Sequence, residues 1–88
     1  MRIHREHNLG IDEARQRVDK LAAELGGQFH LTSHWEGNDL QVRGSGVKGH
    51  ISVTESDVEV HIHLGLALAM LGGTIRSTIE DRIDGYLA

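Results

Sequence analysis

The hydrophobic period of this chain changes several times, and each change marks an element. Residues 2–7 alternate Ile3, Arg5 and His7 against Arg2, His4 and Glu6. That pattern predicts a short strand, with Ile3 its only large apolar residue. From Ile11 to Leu25 the period becomes helical. Ile11, Ala14, Val18, Leu21, Ala22 and Leu25 form one apolar stripe, and Asp12 and Glu13 sit where the helix dipole favours acidic groups. Gly26-Gly27 reads as the stop of this helix, since Gly accepts the left-handed cap conformation.

Four strands are predicted next. Phe29, Leu31, Ser33 and Trp35 alternate with His30, Thr32, His34 and Glu36. Gly37-Asn38 has the composition of a two-residue hairpin loop. Leu40, Val42 and Gly44 then alternate with Gln41, Arg43 and Ser45. A tight turn at Ser45-Gly46 leads to Val47, Gly49, Ile51 and Val53, alternating with Lys48, His50 and Ser52. After Glu55-Ser56-Asp57 come Val58, Val60, Ile62 and Leu64, alternating with Glu59, His61 and His63. One apolar face per strand is what an antiparallel sheet covered on one side requires.

Residues 66–87 predict a second helix, striped by Leu66, Met70, Leu71, Ile75, Ile79, Ile83 and Leu87. Adjacent Gly72 and Gly73 each cost a helix interior up to about 1 kcal/mol. A kink or break there would separate an apolar lead segment, 66–71, from an amphipathic helix, 74–87. The expected order is β-α-β-β-β-β-α. The fold class is α+β: a single antiparallel sheet with two helices packed on one face, burying Trp35, Leu40, Ile51 and Val60. By analogy this is a reduced helix-grip arrangement.

The turn lengths also predict registers. His34 falls opposite Gln41, Gln41 beside His50, and His50 beside His61. The next row is Thr32, Arg43, Lys48 and His63. All of these point away from the helices, so the open face carries a polar band rich in His. Directly opposed side chains lie about 5 Å apart at Cβ. Three uses compete for the band. It is a solvated face, or an interface through His34, Arg43, His50, His61 and His63 with a second copy or another partner, or a metal or acid-base site, with His50, His61 and His63 the candidate ligands. Zinc needs three or four converging ligands, and His61-Ile62-His63 on one strand face is a weak metal signal.

Composition narrows the classes. Eighty-eight residues make one domain with a small core. Nine Lys and Arg against thirteen Asp and Glu give a net charge of -4, with no basic stripe for nucleic acid. There is no Cys and no Pro. No apolar run approaches the roughly twenty residues of a membrane span, and residues 1–7 lack a signal-peptide apolar region, so a cytoplasmic location is expected. No cofactor motif occurs. Gly44-Ser45-Gly46 and Gly72-Gly73-Thr74 match no phosphate loop. No Ser, His and Asp set is ordered as a triad, so a non-enzyme is expected. Residues 64–71 are apolar on every side. They form either a helix start buried between sheet and first helix, or an exposed patch in which Leu66, Leu68, Met70 and Leu71 touch a partner, a hydrophobic polymer or a lipid-like surface.

Several short motifs, taken in order, resemble the polyhydroxyalkanoic acid system protein family. Arg5-Glu6-His7-Asn8-Leu9-Gly10 before an Ala14-Arg15 helix is similar to its opening. Trp35-Glu36-Gly37-Asn38-Asp39-Leu40, Gly46-Val47-Lys48-Gly49-His50-Ile51 and Leu64-Gly65 are similar to its later landmarks. Gly72-Gly73 and Gly85 depart from it. The resemblance runs the length of the chain. It implies a bacterial cytoplasmic protein tied to polyhydroxyalkanoate storage, and it carries no catalytic residue over. Two functions follow as expectations. One is a non-catalytic accessory protein that meets a hydrophobic polymer granule or a granule protein, or pairs with itself through the open sheet face. The other is a module, or an enzyme of unknown type, that holds a small apolar ligand or acyl chain in a pocket bordered by Trp35, Val60 and Ile79.

Overall fold

One row of inward-pointing side chains crosses the whole sheet: Ile3, Val60, Ile51, Leu40 and Trp35, each directly opposite the next. The computed structural model describes Met1–Ala88 and builds its elements around that row. They are β1 (Arg2–Glu6), α1 (Gly10–Phe29), β2 (Thr32–Glu36), β3 (Asp39–Gly44), β4 (Val47–Val53), β5 (Asp57–Leu64), α2 (Leu66–Ala69) and α3 (Gly72–Leu87). All pairings are antiparallel, in the order β1-β5-β4-β3-β2. The fold is α+β, as the periodicity predicts. The registers predicted from the turns all hold, including His34 with Gln41, His50 with His61, and Arg43 with Lys48 and Lys48 with His63.

α1 and α3 cover the apolar face. Val18, Leu21, Ile79 and Ile83 are buried against Leu40, Val60 and Ile3. Fully burying a side chain of this size is worth roughly 1.5–3 kcal/mol, so this layer dominates the stability. α3 packs chiefly against α1. Polar clamps fix the pair. Arg17 Nη1 donates to the Tyr86 carbonyl at 2.7 Å, the Tyr86 hydroxyl donates to Glu24 at 2.9 Å, and Arg82 pairs with the same Glu24. The hydroxyl's bond to Glu24 also raises the Tyr86 pKa above its ordinary value. Arg5 lies on the helix side of β1 and bridges Asp84 and Glu80 of α3 at 2.7 and 2.9 Å.

Four expectations are corrected in detail. α1 does not stop at Gly26-Gly27 but runs on to Phe29. Its left-handed residue is His30, at φ 57°, and the Leu31 N–H closes the end on the Gly26 carbonyl at 3.0 Å. A side chain at position 26 would crowd the Leu31 carbonyl, so Gly26 is there for the return of the chain. Phe29, His30 and Leu31 therefore leave the predicted strand, and β2 begins at Thr32. The break in the second helix falls at Met70-Leu71, and Gly72 and Gly73 open α3 instead of forming the joint. The helical layer thus has three helices, with α2 a single turn. Gly85 lies within α3, which continues through it.

His7 is the one buried polar side chain, 7% exposed. The Leu9 N–H donates to its Nδ1 at 3.1 Å, which leaves Nε2 to carry the proton and donate to the Thr54 carbonyl at 3.1 Å. Beside it the His7 N–H donates to the Ser56 carbonyl. One imidazole thus ties the exit of β1 to the β4–β5 turn. Glu55 in that turn accepts the Ile11 N–H at the start of α1, where its charge also complements the helix dipole. Substituting His7→Ala leaves both backbone groups without a partner and should lower stability by about 1–3 kcal/mol. Urea unfolding monitored by circular dichroism reads this directly. An unchanged midpoint would show that His7 is not the tie.

Candidate functional site

The second inward row reads Ile62, Gly49, Val42 and Ser33. Two of its four members bring little or no apolar volume. Gly49 cannot be replaced by a larger residue, because a Cβ there would meet the His61 carbonyl of β5 at 2.2 Å. The neighbouring gap at Gly44 is filled by the Leu31 side chain folded over it. Nothing fills the space above Gly49. A cavity of about 510 Å³ lies there, between the C-terminal half of α1, the first turns of α3 and the sheet. That is within the roughly 300–1,000 Å³ of ligand pockets.

The cavity wall is mainly apolar. Leu21, Leu25, Ile51, Val60, Ile75 and Ile79 supply much of it, and no Asp, Glu, Lys or Arg contributes. Its exposed polar neighbours are Gln28, His30, Ser45 and Thr74. Of the three residues expected to border it, Val60 and Ile79 do and Trp35 does not. Trp35, expected to be buried with Leu40, Ile51 and Val60, is only partly buried, because it ends the first row on edge strand β2, beneath the first half of α1. There Arg15 stacks on its ring at 4.6 Å and its indole N–H donates to Asp19 at 3.0 Å. The cavity lies over the other half of α1.

α2 stands at this cavity. Gly46 has φ +77°, open to Gly, and its carbonyl accepts the Gly65 N–H at 2.8 Å, so the β5–α2 corner rests on the β3–β4 turn. Leu68 packs over Gly46 and lines the cavity together with Leu71. The other side of α2 has no cover. Leu66 is 95% exposed and Met70 94%, while Leu71, at the cavity, is 52% exposed. Of the two readings of 64–71, burial between sheet and helix is therefore corrected. One helical turn has too little length to cover both of its sides, and only Leu68 and Leu71 reach the cavity.

On the open sheet face the polar band is present. The rings of His50 and His61 stack, with centroids 4.7 Å apart and planes at 17°. His61 also bonds Glu59, and Arg2 grips Glu59 through two bonds of 3.0 and 3.1 Å. His34 lies 3.6 Å from Glu36, while Arg43, Lys48 and His63 are exposed side by side. No three His, Asp or Glu side chains gather so as to hold a metal ion. His50, His61 and His63 are brought together in part only: the first two meet ring face to ring face, and His63 stands opposite Lys48.

The bonds from Arg2 and then His61 hold the Glu59 carboxyl below its ordinary pKa of 4.5. A depressed carboxylate pKa stabilises the fold above the unfolded value, and that stabilisation is lost as pH falls through the folded value. Wild type should thus exceed Glu59→Gln in stability at neutral pH, with the gap closing as acidity increases below about 4.5. Melting midpoints across a pH series check this; a gap of constant size would exclude the ion-paired carboxylate as its source.

No helix is long and apolar enough to cross a membrane. No curated protein and no solved structure matches the chain. A family model does match, over residues 1–87, which is nearly the whole length and includes every element described above. The chain belongs to the polyhydroxyalkanoic acid system protein family.

Proposed function

We propose that this protein is a non-catalytic accessory of polyhydroxyalkanoate storage that meets a hydrophobic polymer surface through α2. The observation behind this is the uncovered side of that turn, where Leu66 and Met70 are almost wholly in solvent. Large apolar side chains placed together in water mark a contact surface. The family gives the setting, a polyhydroxyalkanoic acid system. The short helix is held at Gly65 and Gly46, so the apolar tip projects from a fixed corner of the sheet. Leu66→Asp combined with Met70→Asp changes only exposed positions and should leave the fold intact. Sedimentation with purified polyhydroxyalkanoate granules should fall at least about tenfold, because burying each side chain is worth roughly 1.5–3 kcal/mol. Equal partitioning of the folded variant and wild type would sink the proposal.

The cavity favours a second reading, a module that holds an apolar chain between sheet and helices. Its support is the volume of about 510 Å³ and the wall without charged carboxylate, ammonium or guanidinium groups. A neutral apolar dye such as Nile red separates the readings. Ile75→Trp fills the cavity and should remove most of the dye fluorescence, whereas the α2 double variant should keep it. Dye binding that follows α2 and ignores Ile75 would rule this reading out.

A further inference from the structure

We infer that the cavity selects a single hydrocarbon chain closed by an uncharged head, an ester or a hydroxyl, and rejects the corresponding carboxylate. The inference rests on the second reading above and adds the class of ligand. Its basis is the distribution of polar groups around the space.

The inner wall is formed by Leu21, Val42, Ile51, Val60 and Ile79, all buried. Nothing there can pair with a charge. A head group left at the opening keeps part of its water, but an ionised carboxylate there still sheds some hydration as its chain enters, and that loss stands unless a cation replaces the water. No Lys or Arg borders the cavity. Arg76, next in sequence to Ile75, is exposed and already held by Glu80 at 3.0 Å. Lys48 belongs to the open face, on the far side of the sheet. The ring of His50 is there too, stacked on His61. That leaves His30, at the end of α1, as the one ionisable side chain on the helix side of the cavity.

The remaining polar lining is neutral. Gln28, Ser45, Thr74 and Thr78 offer amide and hydroxyl groups. Thr78 already donates to the Thr74 carbonyl at 3.0 Å and keeps acceptor capacity only. Gln28, Ser45 and Thr74 are exposed, so they stand at the opening and not at the depth. Such groups satisfy an ester carbonyl or a hydroxyl with one or two hydrogen bonds, and they do not neutralise an anion. A tail-in, head-out ligand with a neutral head is what this layout accommodates. A free alkyl ester has this chemistry, and so does a long-chain alcohol.

The test titrates the whole chain with methyl decanoate, decanol and decanoate at neutral pH, below their aggregation limits, following the methyl resonances of Ile51, Val60 and Ile79. The ester and the alcohol should bind at least tenfold more tightly than decanoate. Decanoate binding as tightly as the ester, with the same methyls shifting, would overturn the neutral-head inference while leaving the cavity reading intact. No shift with any of the three would overturn the cavity reading, and the inference with it. Ser45→Lys supplies the missing cation at an exposed turn position. It should strengthen decanoate binding several-fold and leave the ester unchanged. Unchanged decanoate binding in the folded variant would count against charge as the selecting feature.

Discussion

The fold depends on covering one row of side chains that spans all five strands, Ile3, Val60, Ile51 and Leu40 buried and Trp35 partly buried at the edge. A sheet with one apolar face is stable only when something covers it, and here α1 and α3 do so. The row also explains the strand order. β1 is short and carries one large apolar residue, yet Ile3 is among the most deeply buried in the chain. It reaches that depth by adding to the free edge of β5, next to Val60. α1 then carries the chain across to β2 at the opposite edge. Arg5 and His7, on the same side of β1 as Ile3, are drawn under the helices by the same pairing. This is why one forms ion pairs with α3 and the other is a buried hydrogen-bonding tie.

The candidate site arises where this arrangement thins out. One row over, Gly49 replaces a large residue at the centre of the sheet, because the β5 backbone comes too close for a Cβ. The helices stay at the spacing set by the filled row, so the empty row leaves a cavity. Packed interiors rarely tolerate such space without a functional or energetic reason. α2 sits beside that cavity, with Leu68 and Leu71 turned toward it and Leu66 and Met70 turned to solvent. The exposed apolar tip and part of the cavity wall therefore share one short segment. The open face behaves differently. Its His50, His61, Glu59 and Arg2 are engaged with one another.

Much of this was legible in local pattern. Alternation along each strand identified the inward faces, and the turn lengths fixed every hairpin register, because a slip of one residue would expose an entire apolar face. The His band followed from those registers. A break in the second helix was legible from two adjacent Gly residues. The exact joint was not, since Gly is also accommodated in the first turn of a helix, where Gly72 and Gly73 lie. Gly26-Gly27 misled for a related reason. Gly signals a stop only when its neighbours gain by turning, and here the turn was taken by His30, whose left-handed backbone lets Leu31 cover Gly44. The period of residues 2–7 places His7 in phase with Ile3, but nothing local shows that it would be buried and tied to the β4–β5 turn.

By itself, then, the sequence determined the α+β class, the hairpin registers, the apolar stripes and the family, because these depend on residues close in the chain or on the order of short motifs. The tertiary structure alone decided three things. β1 pairs with β5 across more than fifty residues, which no local period encodes. The cavity appears only when Gly49, Ile79 and Leu25 are brought together from three elements. The exposure of Leu66 and Met70 depends on α2 being one turn long and fixed at Gly46, so that it covers the cavity with one side and nothing covers the other. Burial is a property of what lies opposite a residue, and for these positions the opposing atoms come from distant parts of the chain.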